Sequence, residues 1–388
     1  MFRRPERSLH PFIGTDTTPV GEAFADRRCS RRLLLSGVAL AAAGLAGRRA
    51  LARPLAPETI DPVHLTAATM DAGGGMLRNP ALLVAGPPDT PAGRWARLLA
   101  PRLDAALPGS PTISLSATGG RDGVTGANAF EALTVPDGST ALLVPGSAAL
   151  AWLAGDPRVH FDAGRWVPAL ASLGSGVLMV RSSEAPILRP GLRIAASTPT
   201  GPELPALLGS WLLGAPPAPV FGLSEPSDAE TALRDGRADA VFLSGHDVPG
   251  RAERLTGDGF LCAFSLGAAD GARDPALPNV PSMSELLRRR NAGMDRSLVD
   301  AWNAVAAAAR LDVALVLPLL APAALVAQWR EACRAALITP SLVDAAQNAQ
   351  IAPVPAPGCV GVLDEVKADQ GVQLALRRWI AARAEWHL

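Results

Sequence analysis

From residue 80 onward the chain alternates short apolar runs with amphipathic helical patterns, and that alternation is its tightest constraint. Pro80–Ala85 is a run bounded by Gly86-Pro87-Pro88, and Ala92–Leu107 then places Trp95, Leu98, Leu99, Leu103 and Leu107 on one helix face. Thr112–Ala117 alternates like a strand, Ala127–Leu133 is helical, and Ala141–Val144 is again a buried run after the turn Pro136-Asp137-Gly138. Further strands are predicted at Gly176–Val180, Arg193–Ala196, Val220-Phe221, Ala238–Leu243 and Leu261–Ser265. Helices are predicted at Glu203–Leu213, Asp228–Asp235, Ala323–Ala336 and Val372–Ala384. Strands of four to six residues separated by helices predict parallel α/β sheets.

The formal charge is zero, but it is segregated. Residues 1–52 hold nine arginines against four acidic side chains, and the remainder holds 27 basic against 32 acidic ones. Within the leader, Ser30-Arg31-Arg32-Leu33-Leu34-Leu35 opens a 14-residue apolar run to Ala46, followed by Arg48-Arg49 and Ala50-Leu51-Ala52. Paired arginines, a weakly apolar Gly/Ala segment and an Ala-x-Ala end predict a twin-arginine export signal over 1–52, cleaved after Ala52 and read by the twin-arginine machinery. The run would span roughly 21 Å as helix, short of the ~30 Å hydrocarbon core. Residues 53–79, Pro-rich and then Gly-rich, read as a linker. The mature protein is expected in the periplasm.

Several chemistries fall away. A single lysine, no tyrosine and no basic stripe argue against nucleic acid as a partner. Cys262, Cys333 and Cys359 are an odd, widely spaced trio after the leader (Cys29 lies in it), so buried free thiols are expected. His64, His160 and His246 lack zinc spacing, and His10 and His387 lie near the ends. No metal and no cofactor are expected. Ser244, His246 and Asp247 are the residues an exported hydrolase would use, though no Gly-x-Ser-x-Gly elbow accompanies them.

The loops carry more. Gly86–Pro91, Thr118–Gly126, Gly146-Ser147 and Ser197–Gly201 are rich in small residues and follow predicted strands. In open α/β sheets ligands gather at the carboxyl ends of strands, where helix N-termini offer amides to anions. The candidate ligand-binding residues are Pro88, Asp89, Thr90, Gly120, Arg121, Gly146, Ser147, Ser197, Thr198, Thr200 and Ser244. Their hydroxyls and amides suit a small carboxylate-bearing solute.

In the order of its motifs the chain resembles the Bug family, the extracytoplasmic solute-binding proteins of tripartite tricarboxylate transporters. Val84, Pro87, Pro88, Ala96, Arg97, Leu99 and Ala100 match that family's first strand and helix. Gly126-Ala127, Pro136–Leu143, Phe161-Asp162, Trp166–Ala169, Gly236–Ala240, Leu277–Ser282 and Leu320-Ala321-Pro322 resemble its later motifs in the correct order, over about residues 80–350. The resemblance implies a two-lobed, periplasmic-binding-protein-like α/β architecture of type II, closing like a Venus flytrap. Lobe 1 would comprise 80–177 and 267–388, and lobe 2 would comprise 178–266. It also implies a non-enzymatic monomer that captures a small organic acid and hands it to membrane transporter subunits.

Three departures stand out. Asp89-Thr90 replace the family's Gly-Gly, Gly93 occupies its acidic position, and Ser197–Gly201 abbreviates its Ser-Ser-Gly-x-Gly-Thr loop. Asp89 beside a carboxylate would be repulsive, and Arg121 could offset it. The alternatives are an exported α/β hydrolase and the ligand-binding partner of a membrane sensor.

Overall fold

Two sheets with a common plan organise the chain. The computed structural model describes residues 77–181, 189–290, 293 and 295–383. The export signal, the linker up to residue 76, Cys29, His10, His64, Ala384 and His387 lie outside the described residues. The first sheet runs β11 (Ala352–Pro355), β4 (Val167–Leu173), β10 (Leu311–Leu317), β3 (Thr140–Pro145), β1 (Ala81–Val84) and β2 (Ser114–Ala117). The second runs β7 (Pro217–Val220), β6 (Leu192–Ala195), β8 (Ala240–Ser244), β5 (Gly176–Arg181) and β9 (Phe260–Ser265).

The sheets, expected to be parallel, each include antiparallel strands. β10 is antiparallel to β3 and β4, and β5 is antiparallel to β8 and β9. Both are the first strands after the chain has crossed between sheets. A strand that starts at the crossing must run away from it, whereas the βα units of its sheet run toward it. The predicted strand at Val220-Phe221 lies instead at Pro217–Val220, and β4, β10 and β11 had no counterpart in the sequence reading.

Side-chain parity shows how both faces of the first sheet are covered. Leu143, Val313, Leu315 and Leu317 pack with Trp95, Leu99 and Leu103 of α1 (Pro91–Ala106) and Trp329 of α9 (Ala323–Leu337). Leu342 of α10 (Pro340–Ala349) joins them. Their sequence neighbours Leu142, Val144, Ala314 and Val316 face the other way. There they meet α2 (Val124–Leu133), α3 (Gly146–Ala154), α8 (Arg296–Arg310), α11 (Gly358–Val366) and α12 (Gln370–Ala381). Each large side chain so buried contributes about 1.5–3 kcal/mol.

The second sheet is covered by α5 (Pro226–Arg234) and α6 (Val248–Gly257) on one face, with Leu233 and Leu255 against Val241 and Leu243. On its other face lie α4 (Leu204–Leu212) and α7 (Met283–Arg290). α8 links the two halves. Its fully buried Trp302 donates to the Pro205 carbonyl of α4 at 2.9 Å, and the same core continues to α3 and α12.

The crossings are Gly174-Ser175 and the segment after Ser265. Arg310, at the end of α8, touches both. Its carbonyl accepts from the Gly174 amide at 2.8 Å, and its guanidinium donates to the Gly267 carbonyl at 3.0 Å and to Glu365 at 2.9 Å. Cys262, Cys333 and Cys359 are free thiols, but Cys262 is only half-buried, a correction to the expected trio of buried thiols. Burial pushes the Cys359 thiol up to about 11.

Candidate functional site

The carboxyl ends of both sets of parallel strands carry the small-residue loops. Residues 86–90, 118–123 and 145–147 close the first sheet, and residues 196–203, 221–225 and 244–247 close the second. Contacts join the two sets. Arg121 of the first set lies 3.8 Å from Glu225 of the second. The second set also reaches other parts of the first half: Thr200 donates to Asp156, beyond α3, at 3.3 Å, and the Asp247 amide donates to the Ala349 carbonyl at the end of α10 at 3.0 Å.

In the first loop Thr90 caps α1. Its hydroxyl donates to the Pro87 carbonyl at 2.6 Å and accepts from the Gly93 amide at 3.3 Å. The chain folds back so closely that a Cβ at Gly93 would sit 2.3 Å from that carbonyl and 2.5 Å from the Pro88 Cα. The acidic residue of the Bug pattern has no room there. Pro88 and Asp89 are exposed, and Arg121 reaches Asp89 at 2.5 Å from the exposed turn that includes Gly120. The Arg121 guanidinium holds the Asp89 carboxyl below its usual range.

Three of the hydroxyls expected to meet a solute, those of Ser147, Ser197 and Thr200, are engaged within the protein. Ser147 donates to the Asp122 carbonyl at 2.9 Å. Ser197 gives its amide and hydroxyl to one oxygen of Glu203, at 3.1 and 2.8 Å. Burial raises the Glu203 carboxyl above its ordinary value, and those bonds partly offset this. Thr200 is bound to Asp156, whose carboxylate takes a two-point fork from Arg158 at 2.8 and 3.0 Å. Arg158 also bonds Asp122 at 2.7 Å and holds Asp156 below the usual carboxylate range. Thr198 is exposed in the same loop, and the Ser244 carbonyl accepts from Arg251 at 3.0 Å.

Gly146 stands where α3 begins. A Cβ there would lie 2.2 Å from the Ala308 carbonyl and 2.3 Å from that of Leu311, so α3 can start against β10 only with glycine. No side chain caps α3 or α2, which leaves their first amides for solvent or ligand, apart from the Val124 amide that Asp122 accepts at 3.2 Å.

One residue escaped the sequence reading. Asp312 is the single charged residue of the apolar run Leu311–Leu317, and that interruption was the available signal. The register slips at Asp312, which is a β-bulge opposite β4. The bulge turns Asp312 toward α1, where Trp95 Nε1 donates to its Oδ2 at 2.7 Å. Its Oδ1 is buried with no hydrogen-bond partner, and burial pushes its pKa up.

Asp247 offers its carboxylate to Arg254 at 3.2 Å, the group a hydrolase triad would give to His246. Among the described residues no cluster of three or more His, Cys, Asp or Glu could hold a metal, and no helix is long and apolar enough to cross a membrane.

No family model and no curated protein matches the chain in sequence. Solved structures do match in fold. A TctC solute-binding protein from Polaromonas aligns with a TM-score of 0.59 at 16% identity, covering 79% of this chain and 98% of its own. MatC from Rhodopseudomonas palustris, solved with bound malate, aligns at 0.52 and 19% identity over 78% of this chain and 99% of its own. A second R. palustris protein, solved with adipate, aligns at 0.51 and 16% identity over 79% and 97%. The protein therefore has the two-lobed α/β fold of periplasmic solute-binding proteins of the tricarboxylate type.

Proposed function

We propose that the protein is a non-enzymatic, monomeric, periplasmic solute-binding protein that captures a small organic acid for a tripartite tricarboxylate-type transporter. The observation that carries this reading is the convergence of six loops at the carboxyl ends of two sheets that share a five-strand plan, the first with one strand more. That is where open α/β sheets bind ligands. The solved structures with malate and adipate support a carboxylate as the solute. Export by the twin-arginine route after cleavage at Ala52 completes the reading, with lobes at 80–177 plus 267–388 and at 178–266.

In this function the uncapped amides at Gly146-Ser147 and at the start of α2 receive the carboxylate, because a helix N-terminus carries about half a positive charge in unpaired N–H groups. Arg121, Asp89 and Glu225 form a rim that joins the lobes on closing. Arg121 and Arg158 are both spent on protein carboxylates rather than on the solute.

Thermal unfolding of the purified protein against di- and tricarboxylates, amino acids and aromatic acids tests the proposal. A ligand at 100 times its Kd stabilises the fold by about 2.7 kcal/mol. A flat response to every acid would overturn the transport reading.

A further inference from the structure

Asp312 is buried, carries one oxygen without a partner, and sits at the ligand end of the first sheet. Its neighbour Val313 pairs with Pro145, the residue before Gly146, so Asp312 stands level with the start of α3. The Leu311 carbonyl presses on Gly146 itself. Arg94, from the first turn of α1, and His246, from the 244–247 loop of the second sheet, both act electrostatically on the carboxyl. By register and by its bond to Trp95, Asp312 sits at the end of the first sheet that carries the 86–90 and 145–147 loops.

A carboxylate in such a place is costly to the protein. A buried acceptor without a donor forfeits a hydrogen bond to water, and the loss is larger for a charged group. The fold nonetheless secures Asp312. The bulge turns it to the α1 face, and Trp95 fixes Oδ2 so that Oδ1 is left over. Ser172 repairs the strand ladder beside the bulge: its hydroxyl donates to the Val313 carbonyl at 3.3 Å and accepts the Val313 amide at 3.2 Å.

We propose that Asp312 is a specificity-determining residue for the solute, selecting acids that carry an ammonium or hydroxyl group a few bonds from the carboxylate. Resting on the solute-binding reading above, it narrows the ligand to amino or hydroxy acids. Two-point recognition follows from the layout. Amides at the end of β3 take the carboxylate, and Oδ1 at the start of the neighbouring strand β10 takes the donor.

The experiment measures affinity by calorimetry for two matched series, succinate, L-malate and L-aspartate, and propionate, L-lactate and L-alanine. Each is run on the purified protein and on Asp312→Asn. The variant keeps the shape and the acceptor that Trp95 needs, but it turns an NH₂ toward the place of Oδ1. A substituted acid is expected to bind the native protein about tenfold or more tightly than its unsubstituted partner, as one charged hydrogen bond allows. Asp312→Asn is expected to abolish or reverse that ratio. Equal affinity within a series, or a ratio unchanged by the substitution, overturns the role of Asp312 while the transport reading stands. Binding by no acid of either series overturns the proposal together with the reading beneath it. Because the native protein's own preference is decisive, the test survives a variant that folds poorly.

Discussion

Glu203 folds back over its own loop so that one carboxylate oxygen accepts both the amide and the hydroxyl of Ser197. A protein carboxyl thus already sits where the sequence led us to expect only donors. Because burial raises its pKa, the folded state holds its proton more tightly than the unfolded chain does. Stability therefore falls as pH rises from the ordinary carboxyl range through the raised folded value. Glu203→Gln keeps an acceptor for Ser197 and removes the charge. The variant is expected to melt a few degrees higher than the native protein at pH 8, with the gap closing at pH 4. A gap independent of pH would show that Glu203 is not the titrating group.

Asp156 has the opposite sign. Arg158 holds its carboxyl low, so its contribution is present above the unfolded carboxyl range and is lost as pH falls through the folded value. Asp156→Asn is expected to cost about 1–2 kcal/mol at pH 7, a charged fork discounted for the exposure of Arg158. Urea unfolding at pH 7 and pH 3 checks this, and the difference between native and variant should shrink at the lower pH.

Gly146→Ala places a methyl group against two backbone carbonyls at 2.2 and 2.3 Å. Backbone cannot swing aside as a side chain can. A loss of about 1–3 kcal/mol is expected by thermal or urea unfolding. A native-like melting temperature would mean that α3 can move off β10.

Arg310→Ala unties the second crossing, since the side chain bonds Gly267 and links it to Glu365 of α11, while the backbone carbonyl that holds Gly174 at the first crossing stays in place. A stability loss of about 2 kcal/mol is expected from the lost charged hydrogen bonds. The distinguishing measurement is small-angle scattering without ligand, in which the variant should show a larger radius of gyration than the native protein.

The alternation of apolar runs and helices was legible because buried parallel strands demand it, and the loop positions followed. The antiparallel strands were not. Leu311–Leu317 looks locally like any apolar segment, and its place depends on where the chain re-enters the first sheet. Small residues at Ser147, Ser197 and Thr200 were legible as loop residues. That their hydroxyls turn inward to Asp122, Glu203 and Asp156 depends on partners six to 44 residues away, which spacing alone does not reveal. Asp312 needed the bulge, a feature of register, to become noticeable.

Trp302, buried on α8 and bonded to Pro205, has a thermodynamic consequence. The same helix is floor to α4 on one side and to α3, α11 and α12 on the other, so melting either sheet strips apolar cover from its neighbour. The two lobes are bound into one cooperative unit of unfolding. A small solute gripped at the sheet ends would then slow hydrogen exchange in α11 and α12 as well, far from any atom that touches it.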